Sequence, residues 1–321
     1  MLNRLVLFLL LACMLPACGQ LQRQEARPLS RLLALGAGQA LYGSLPQAVV
    51  RLETRREFDE QTFVSSPLGT GFLVERAGEL FLVTARHVVE ATPESRVRDS
   101  VSSAEFVIPR RAWVFHSSGS ERQQRGSGQW IKVDPVDVAV ARLPWSKDLR
   151  IQPLLYCRPE SCHGRRSQLA LRDPEPLEPV MVAAYPSYLT FELRQQLPLL
   201  RFGTVAMSAS EPYLKDLGGR TYVEARARAL DLRTFPGDSG GPVFDGSHLG
   251  EGLLLVGMIL GGDTELGFTI VEPISRVIET LELAAKTQAP PTSTVRTLFA
   301  DAEHCAIELA VSGQPHNPHS T

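Results

Sequence analysis

The strongest chemical signal in the sequence is Phe235-Pro-Gly-Asp-Ser-Gly-Gly-Pro-Val-Phe244. A serine hydroxyl is a poor nucleophile unless a base takes its proton and donors await the charge that attack places on an oxygen. Glycines on both sides of Ser239 permit tight backbone geometry that other residues reach only with strain. Such a turn can aim the backbone amides of Gly237 and Ser239 into one pocket, as an oxyanion requires. The chemistry this predicts is acyl transfer at Ser239. A glycine-rich turn between strands is the plain alternative, but many sequences make such a turn. It does not need Pro236 to Val243 in this order.

The stretch Gly237-Asp238-Ser239-Gly240-Gly241-Pro242 resembles the nucleophile motif of trypsin-fold (chymotrypsin-like) serine peptidases, closest to their bacterial exported branch. The resemblance implies a histidine in a Thr-Ala-x-His-Val segment, and Thr84-Ala85-Arg86-His87-Val88 supplies it. It implies an aspartate opening an Asp-apolar-Ala-apolar strand, and Asp137-Val138-Ala139-Val140 supplies that. Asp134 is a rival, but it precedes a proline whereas Asp137 leads directly into the apolar run. Gly69-Thr70-Gly71-Phe72-Leu73 matches the strand that precedes the histidine strand in the family. The order His87, Asp137, Ser239 separates this arrangement from subtilisin-like and α/β-hydrolase chains. By this resemblance Asp137 orients His87, His87 takes the Ser239 proton, and Gly237 and Ser239 hold the oxyanion. Asp238 shapes the oxyanion loop from within.

The resemblance also implies a specificity pocket. The residue six places before the nucleophile commonly lies near its base, which here is Arg233, with Gly261 and Gly262 on the opposite wall. A cation there would repel Lys or Arg side chains and could pair with an acidic one; it could instead turn to solvent or pair with Asp231. The strand Val256 to Gly262 is expected to line the cleft. Two departures stand out. Leu260 occupies the place where many relatives carry a serine that supports the aspartate, and no cysteine lies near the serine or histidine motifs. The competing class is a cell-envelope binding protein that keeps the fold without turnover, or one gated by a partner. Filled positions for all three site residues favour the enzyme.

The 321 residues must position these groups, and composition constrains how. With 33 Lys+Arg against 35 Asp+Glu, the net charge is −2, which gives no electrostatic reason to expect nucleic acid. Apolar residues are 44% and charged residues 21%, as in soluble globular proteins. The 25 Gly and 23 Pro suit a turn-rich β protein better than a helical bundle. Short apolar runs bounded by turn residues predict strands at 48–52, 71–74, 80–84, 106–108, 112–115, 130–133 and 136–141. A second group follows at 180–185, 203–207, 221–225, 242–244 and 253–259. The expectation is all-β: two six-stranded antiparallel barrels, about 47–150 and 151–270, with the catalytic cleft between them. Apolar residues at helical spacing predict a C-terminal helix over 273–285. Residues 117–128 read as a polar loop, and the long stretch from Asp137 to Ser239 places surplus loops around 157–175 and 185–201. The peptidase domain is expected over 47–285, with 286–321 as linker and tail, too short for a PDZ module. Within the tail, Leu298 to Leu309 is amphipathic.

Residues 1–17 carry a basic start, an apolar run from Leu5 to Leu15 and a small-residue exit, the pattern of a secretory signal. The run is shorter than the ~20 residues that a membrane span needs. Leu15-Pro16-Ala17-Cys18 resembles a lipoprotein processing site, which would acylate Cys18; Leu10-Leu11-Ala12-Cys13 fits locally but leaves a very short apolar run. Ordinary secretion is the alternative. Either way the folded part leaves the cytoplasm, with 18–46, including a helical candidate at 29–35, as a tether. Export permits a disulfide, and Cys157 and Cys162 flank Arg-Pro-Glu-Ser closely enough for one, unpaired thiols being the alternative. No cofactor or metal is expected: only His163 adjoins that pair, and His316 and His319 lie in the polar tail. The partners expected are protein or peptide substrates.

Overall fold

The computed structural model of the chain describes residues 47–57, 63–98, 104–116, 122–124, 130–133, 136–144, 152–158, 161–162, 167–170, 173–187, 197–207, 213–216, 222–225, 228–247, 249, 252–263, 267–287 and 294–297. The signal, Cys13, Cys18, the tether, Asp134 and the segment 298–309 lie outside these residues, as do His163, His316 and His319.

In the first half, strands run β1 (Val49–Glu57), β2 (Phe63–Arg76), β3 (Glu79–Ala85), β4 (Glu94–Arg98), β5 (Ala104–Pro109), β6 (Trp113–Phe115), β7 (Arg122–Gln124), β8 (Trp130–Val133), β9 (Val138–Leu143) and β10 (Leu154–Tyr156). A one-turn helix, α1 (Arg86–Glu90), follows β3. In the second half, strands run β11 (Pro179–Ala184), β12 (Leu199–Met207), β13 (Tyr213–Asp216), β14 (Tyr222–Ala225), β15 (Arg228–Asp231), β16 (Pro242–Asp245), β17 (Leu255–Asp263) and β18 (Phe268–Pro273). Helix α2 (Ile274–Lys286) and a last strand, β19 (Thr294–Thr297), complete the chain order.

The architecture is the two-barrel one. Strands β11-β12-β15-β18-β17-β16 close a six-stranded barrel. The first half is a half-barrel sheet in the order β19-β5-β4-β1-β2-β3-β9-β6, with β10 added in parallel to β2. Its edge is covered by β19, which pairs antiparallel with β5, so part of the segment read as linker and tail is built into the sheet. A third sheet, β13-β14-β8-β7, joins segments from both halves through the parallel β14–β8 pair. It contains β7, in the stretch read as a polar loop.

Strand β3 shows why the first half holds firm. From Leu80 to Ala85 every residue is buried, so the strand lies at the centre of the sheet between β2 and β9 rather than alternating core and solvent. Helix α2 buries Ile274, Val277, Thr280, Leu281 and Ala284, one face at helical spacing, against β9, β17 and β6. A bidentate pair, Arg76 to Glu282 at 3.1 and 2.7 Å, ties its far end to β2. Cys157 and Cys162 are joined by a disulfide.

Candidate active site

Register places the histidine and the aspartate. Strands β3 and β9 are antiparallel with Ala85 opposite Val138, so the next residues outward, Arg86 and Asp137, face each other. The Arg86 N–H donates to the Asp137 carbonyl at 3.2 Å. Val88 and Val89 anchor α1 in the core and leave His87 on its outer side, with the imidazole half-exposed. Asp137 then accepts twice from His87: the backbone N–H reaches Oδ1 at 2.9 Å and the ring Nδ1 donates to Oδ2 at 2.6 Å. That bond raises His87 above its ordinary value of 6.5, against an opposing effect of burial. It also fixes the tautomer, because a donating Nδ1–H leaves Nε2 as the acceptor.

The serine stands at the entrance to β16. A Cβ on Gly69 would lie 2.9 Å from the Ser239 carbonyl oxygen and 3.0 Å from Val88, so Ser239 and the His87 turn both pack against one glycine. The Ser239 hydroxyl donates to the Leu260 carbonyl at 2.8 Å. Gly237 has φ +96° and Gly240 φ +85°, left-handed conformations that favour glycine. A Cβ on Gly240 would also fall 2.0 Å from the Thr70 carbonyl oxygen. Position 240 therefore excludes a side chain twice over.

The peptide groups of this turn are held by their carbonyls. The Pro236 carbonyl accepts from the Ser187 N–H at 2.7 Å and the Asp238 carbonyl from the Gly241 N–H at 2.8 Å. In a trans peptide the N–H points away from its C=O, so these bonds orient the N–H groups of Gly237 and Ser239. Among the described residues neither of those N–H groups has an acceptor. Paired backbone donors left open are uncommon in folded chains and mark a place where an external oxygen can bind.

Asp238 lies underneath, fully buried. Its Oδ2 accepts from the Phe235 N–H at 2.6 Å and from Arg201 Nη2 at 2.6 Å, while Oδ1 has no partner among the described residues. Burial pushes this carboxyl above its ordinary range, and Arg201 and the Phe235 N–H pull the other way. Arg201 also donates from Nη1 to the Arg233 carbonyl at 2.6 Å and stacks over the Phe235 ring.

The residues expected around a specificity pocket fall into two groups. Arg233 is exposed, lies over the Phe235 ring at 5.6 Å from its centroid, and has no ion-pair partner among the described residues. Asp231 does not take it. A Cβ on Gly261 would meet nothing within 4 Å, so that wall is free of bulk. Gly262 differs from the expectation, since a Cβ there would lie 2.3 Å from the Phe268 carbonyl and 2.6 Å from Thr234 Oγ1. Its lack of a side chain serves packing between β17 and β18.

The motifs imply no role for three residues of the site, Thr70 among them although it lies in the Gly69–Leu73 string. Arg201 sits on β12, and Thr70 on β2 is fully buried against the serine turn. Glu272 on β18 is buried behind Asp137, accepts its backbone N–H at 3.4 Å, and pairs with Arg276 of α2 at 2.5 Å. Burial pushes Glu272 above its ordinary range. No group of three or more His, Cys, Asp or Glu side chains among the described residues could hold a metal ion.

The fold defines the class, the two-barrel architecture of trypsin-like proteins. The profile of the trypsin-like peptidase domain matches residues 69–258, and the chain belongs to that family. No curated protein sequence matches it. Among solved structures it is similar to the Rv3671c protease from M. tuberculosis in its active form, at 18% identity and TM-score 0.48, covering 79% of this chain and 86% of that one. It is also similar to the MamO protease domain from Magnetospirillum magneticum in its apo form, at 16% identity and TM-score 0.45, covering 74% and 98%.

Proposed function

We propose that the protein is an exported serine endopeptidase that cleaves peptide bonds through Ser239, His87 and Asp137. The observation that carries this reading is the double acceptance by Asp137 from His87, which leaves Nε2 as the free base beside the serine turn. Ser239 Oγ bonds to the Leu260 carbonyl at 2.8 Å and not to His87, so the reading requires the Ser239 side chain to turn from that carbonyl to Nε2 before attack. Ser239 Oγ then bonds to the substrate carbonyl carbon as its proton passes to His87 Nε2. The displaced charge settles on the carbonyl oxygen, between the N–H groups of Gly237 and Ser239. When the C–N bond breaks, His87 returns the proton to the leaving amine. Water, deprotonated by the same nitrogen, releases the acyl group from Ser239.

Protein or peptide substrates follow from the peptidase domain. Arg233, which has no ion-pair partner among the described residues, and the side-chain-free position at Gly261 support a pocket that disfavours Lys and Arg and accepts acidic side chains. The sequence of residues 1–18 supports export and acylation at Cys18, with the domain facing the periplasm. Fluorophosphonate labelling of fractionated cells tests both parts. A labelled band in the membrane fraction, released or left unprocessed by Cys18→Ser, is the expected result; a soluble labelled protein in both strains would remove the anchor and leave the chemistry standing.

A further inference from the structure

Thr70 lies on the first sheet, yet each of its polar atoms is committed to the turns that form the oxyanion pocket or to the strand beside them. Its N–H donates to the Ser239 carbonyl at 2.9 Å. Its hydroxyl donates to the Gly237 carbonyl at 2.8 Å and accepts the Tyr185 N–H at 2.9 Å. Its carbonyl accepts from Thr84 Oγ1 at 2.7 Å. A hydroxyl offers one proton, and here that proton goes to the residue whose own N–H is left open. Both Thr70 and Thr84 are fully buried, so water does not replace these bonds.

Gly237 explains why a clamp is needed. At φ +96° it has no side chain to restrain it, and its two flanking peptides can turn independently. The first is held by Ser187, which donates to the Pro236 carbonyl, and the second at both ends, by Thr70 on the Gly237 carbonyl and by the Phe235 carbonyl, which accepts the Asp238 N–H at 3.0 Å. Tyr185 and Ser187 belong to one short segment after β11, and Tyr185 is itself bound to the Thr70 hydroxyl. One oxygen atom thus couples the loop that aims Gly237 to the turn that carries Ser239. Without it, the Gly237 carbonyl loses a buried donor and the peptide gains a reason to rotate.

We propose that Thr70 is a positioning residue for catalysis, its hydroxyl locking the Gly237 peptide so that the Gly237 and Ser239 N–H groups stay converged on one oxygen. The proposal rests on the serine chemistry assigned above and adds a residue from the other barrel to it. It makes the oxyanion pocket a joint product of both halves. The hydroxyl should matter to the transition state and little to substrate binding, because the charge it helps stabilise develops only on attack.

The test compares Thr70→Val, Thr70→Ser and the wild type on a fluorogenic peptide that the wild type cleaves, with fluorophosphonate labelling rates alongside. Thr70→Val keeps the shape and removes the hydroxyl. It is expected to lower kcat roughly 10- to 100-fold, below the loss of a direct oxyanion donor, with KM within about twofold. The labelling rate should fall by a similar factor, since the probe's phosphonyl oxygen uses the same pocket, and Thr70→Ser should restore most of both. A folded Thr70→Val with wild-type kcat, or a Thr70→Ser as impaired as Thr70→Val, would overturn the role. Should Thr70→Val not fold, Thr70→Ala carries the same comparison; unfolding of both would make Thr70 a folding residue and overturn the proposal as well. A wild type that does not label at all defeats the serine chemistry instead, so the two failures are distinguishable.

Discussion

Arg201 and Asp238 form a 2.6 Å ion pair across the floor of the serine turn, with the carboxylate fully buried and the Arg201 side chain partly so. The pair joins β12, on the barrel wall, to the residue before the nucleophile. Geometry at Ser239 therefore depends on a cation 37 residues before Asp238 in the chain.

Removal of that cation leaves a buried carboxylate with the Phe235 N–H as its one remaining donor among the described residues. Arg201→Leu is expected to destabilise the domain by about 3–5 kcal/mol and to reduce activity further than the loss of stability explains. The deficit should shrink on acidification. A carboxyl raised by burial contributes stability below its unfolded value of about 3.9 and loses it as pH rises through the folded value. Adding Asp238→Asn should recover part of the loss, because no buried charge then remains. Urea unfolding of both single variants and the double variant at two pH values measures this.

Activity should fall as pH drops through the His87 value, which Asp137 holds above 6.5. The sign follows from mechanism: only the neutral ring can take the Ser239 proton. Stability runs the other way, since the bond to Asp137 favours the charged ring; its contribution is present below about 6.5 and is lost as pH rises through the raised value. Asp137→Asn should remove the upward shift and lower kcat on the order of 10⁴-fold. A pH profile of kcat/KM from 5 to 9 checks both, and a rate that stays flat to acid in a folded enzyme would argue against His87 as the base.

Arg233 should exclude basic side chains from the position preceding the cleaved bond. Its guanidinium lies over the Phe235 ring and has no ion-pair partner among the described residues. A peptide-library digest is expected to show few cleavages after Lys or Arg and enrichment after Asp or Glu, with Arg233→Ala weakening that bias. Dominant cleavage after Lys or Arg would overturn the pocket assignment and leave the serine chemistry untouched.

The sequence made the chemical strings legible because each is local. Thr84 to Val88 occupies the end of one strand and one helical turn, and Gly237 to Pro242 a single loop and the first residue of β16. What supports them is written across long separations, Thr70 to Gly237 over 167 residues and Asp137 to Glu272 over 135, so no spacing announces it. Strands β15 and β18 escaped the apolar pattern for a related reason. Each buries a charge, Arg228 against Asp173 and Glu272 against Arg276, and reads as surface until its partner is known. The sheet made by β7, β8, β13 and β14 depends on a parallel pairing between the two halves, which no local signal encodes. Strand β19 was hidden in Thr-Val-Arg-Thr after a proline-rich stretch, where pairing with β5 decides the structure. Leu260, read as a missing support for Asp137, contributes its carbonyl to the Ser239 hydroxyl instead.

The central claim is that Ser239 is an activated nucleophile, and reaction with a fluorophosphonate probe tests it most directly. The folded wild-type domain should label at a single site, mapped to Ser239 by peptide mass. Ser239→Ala should abolish labelling with its thermal stability nearly unchanged, because the hydroxyl contributes little packing. Labelling that persists in folded Ser239→Ala, or a folded wild type that never labels, would contradict the account.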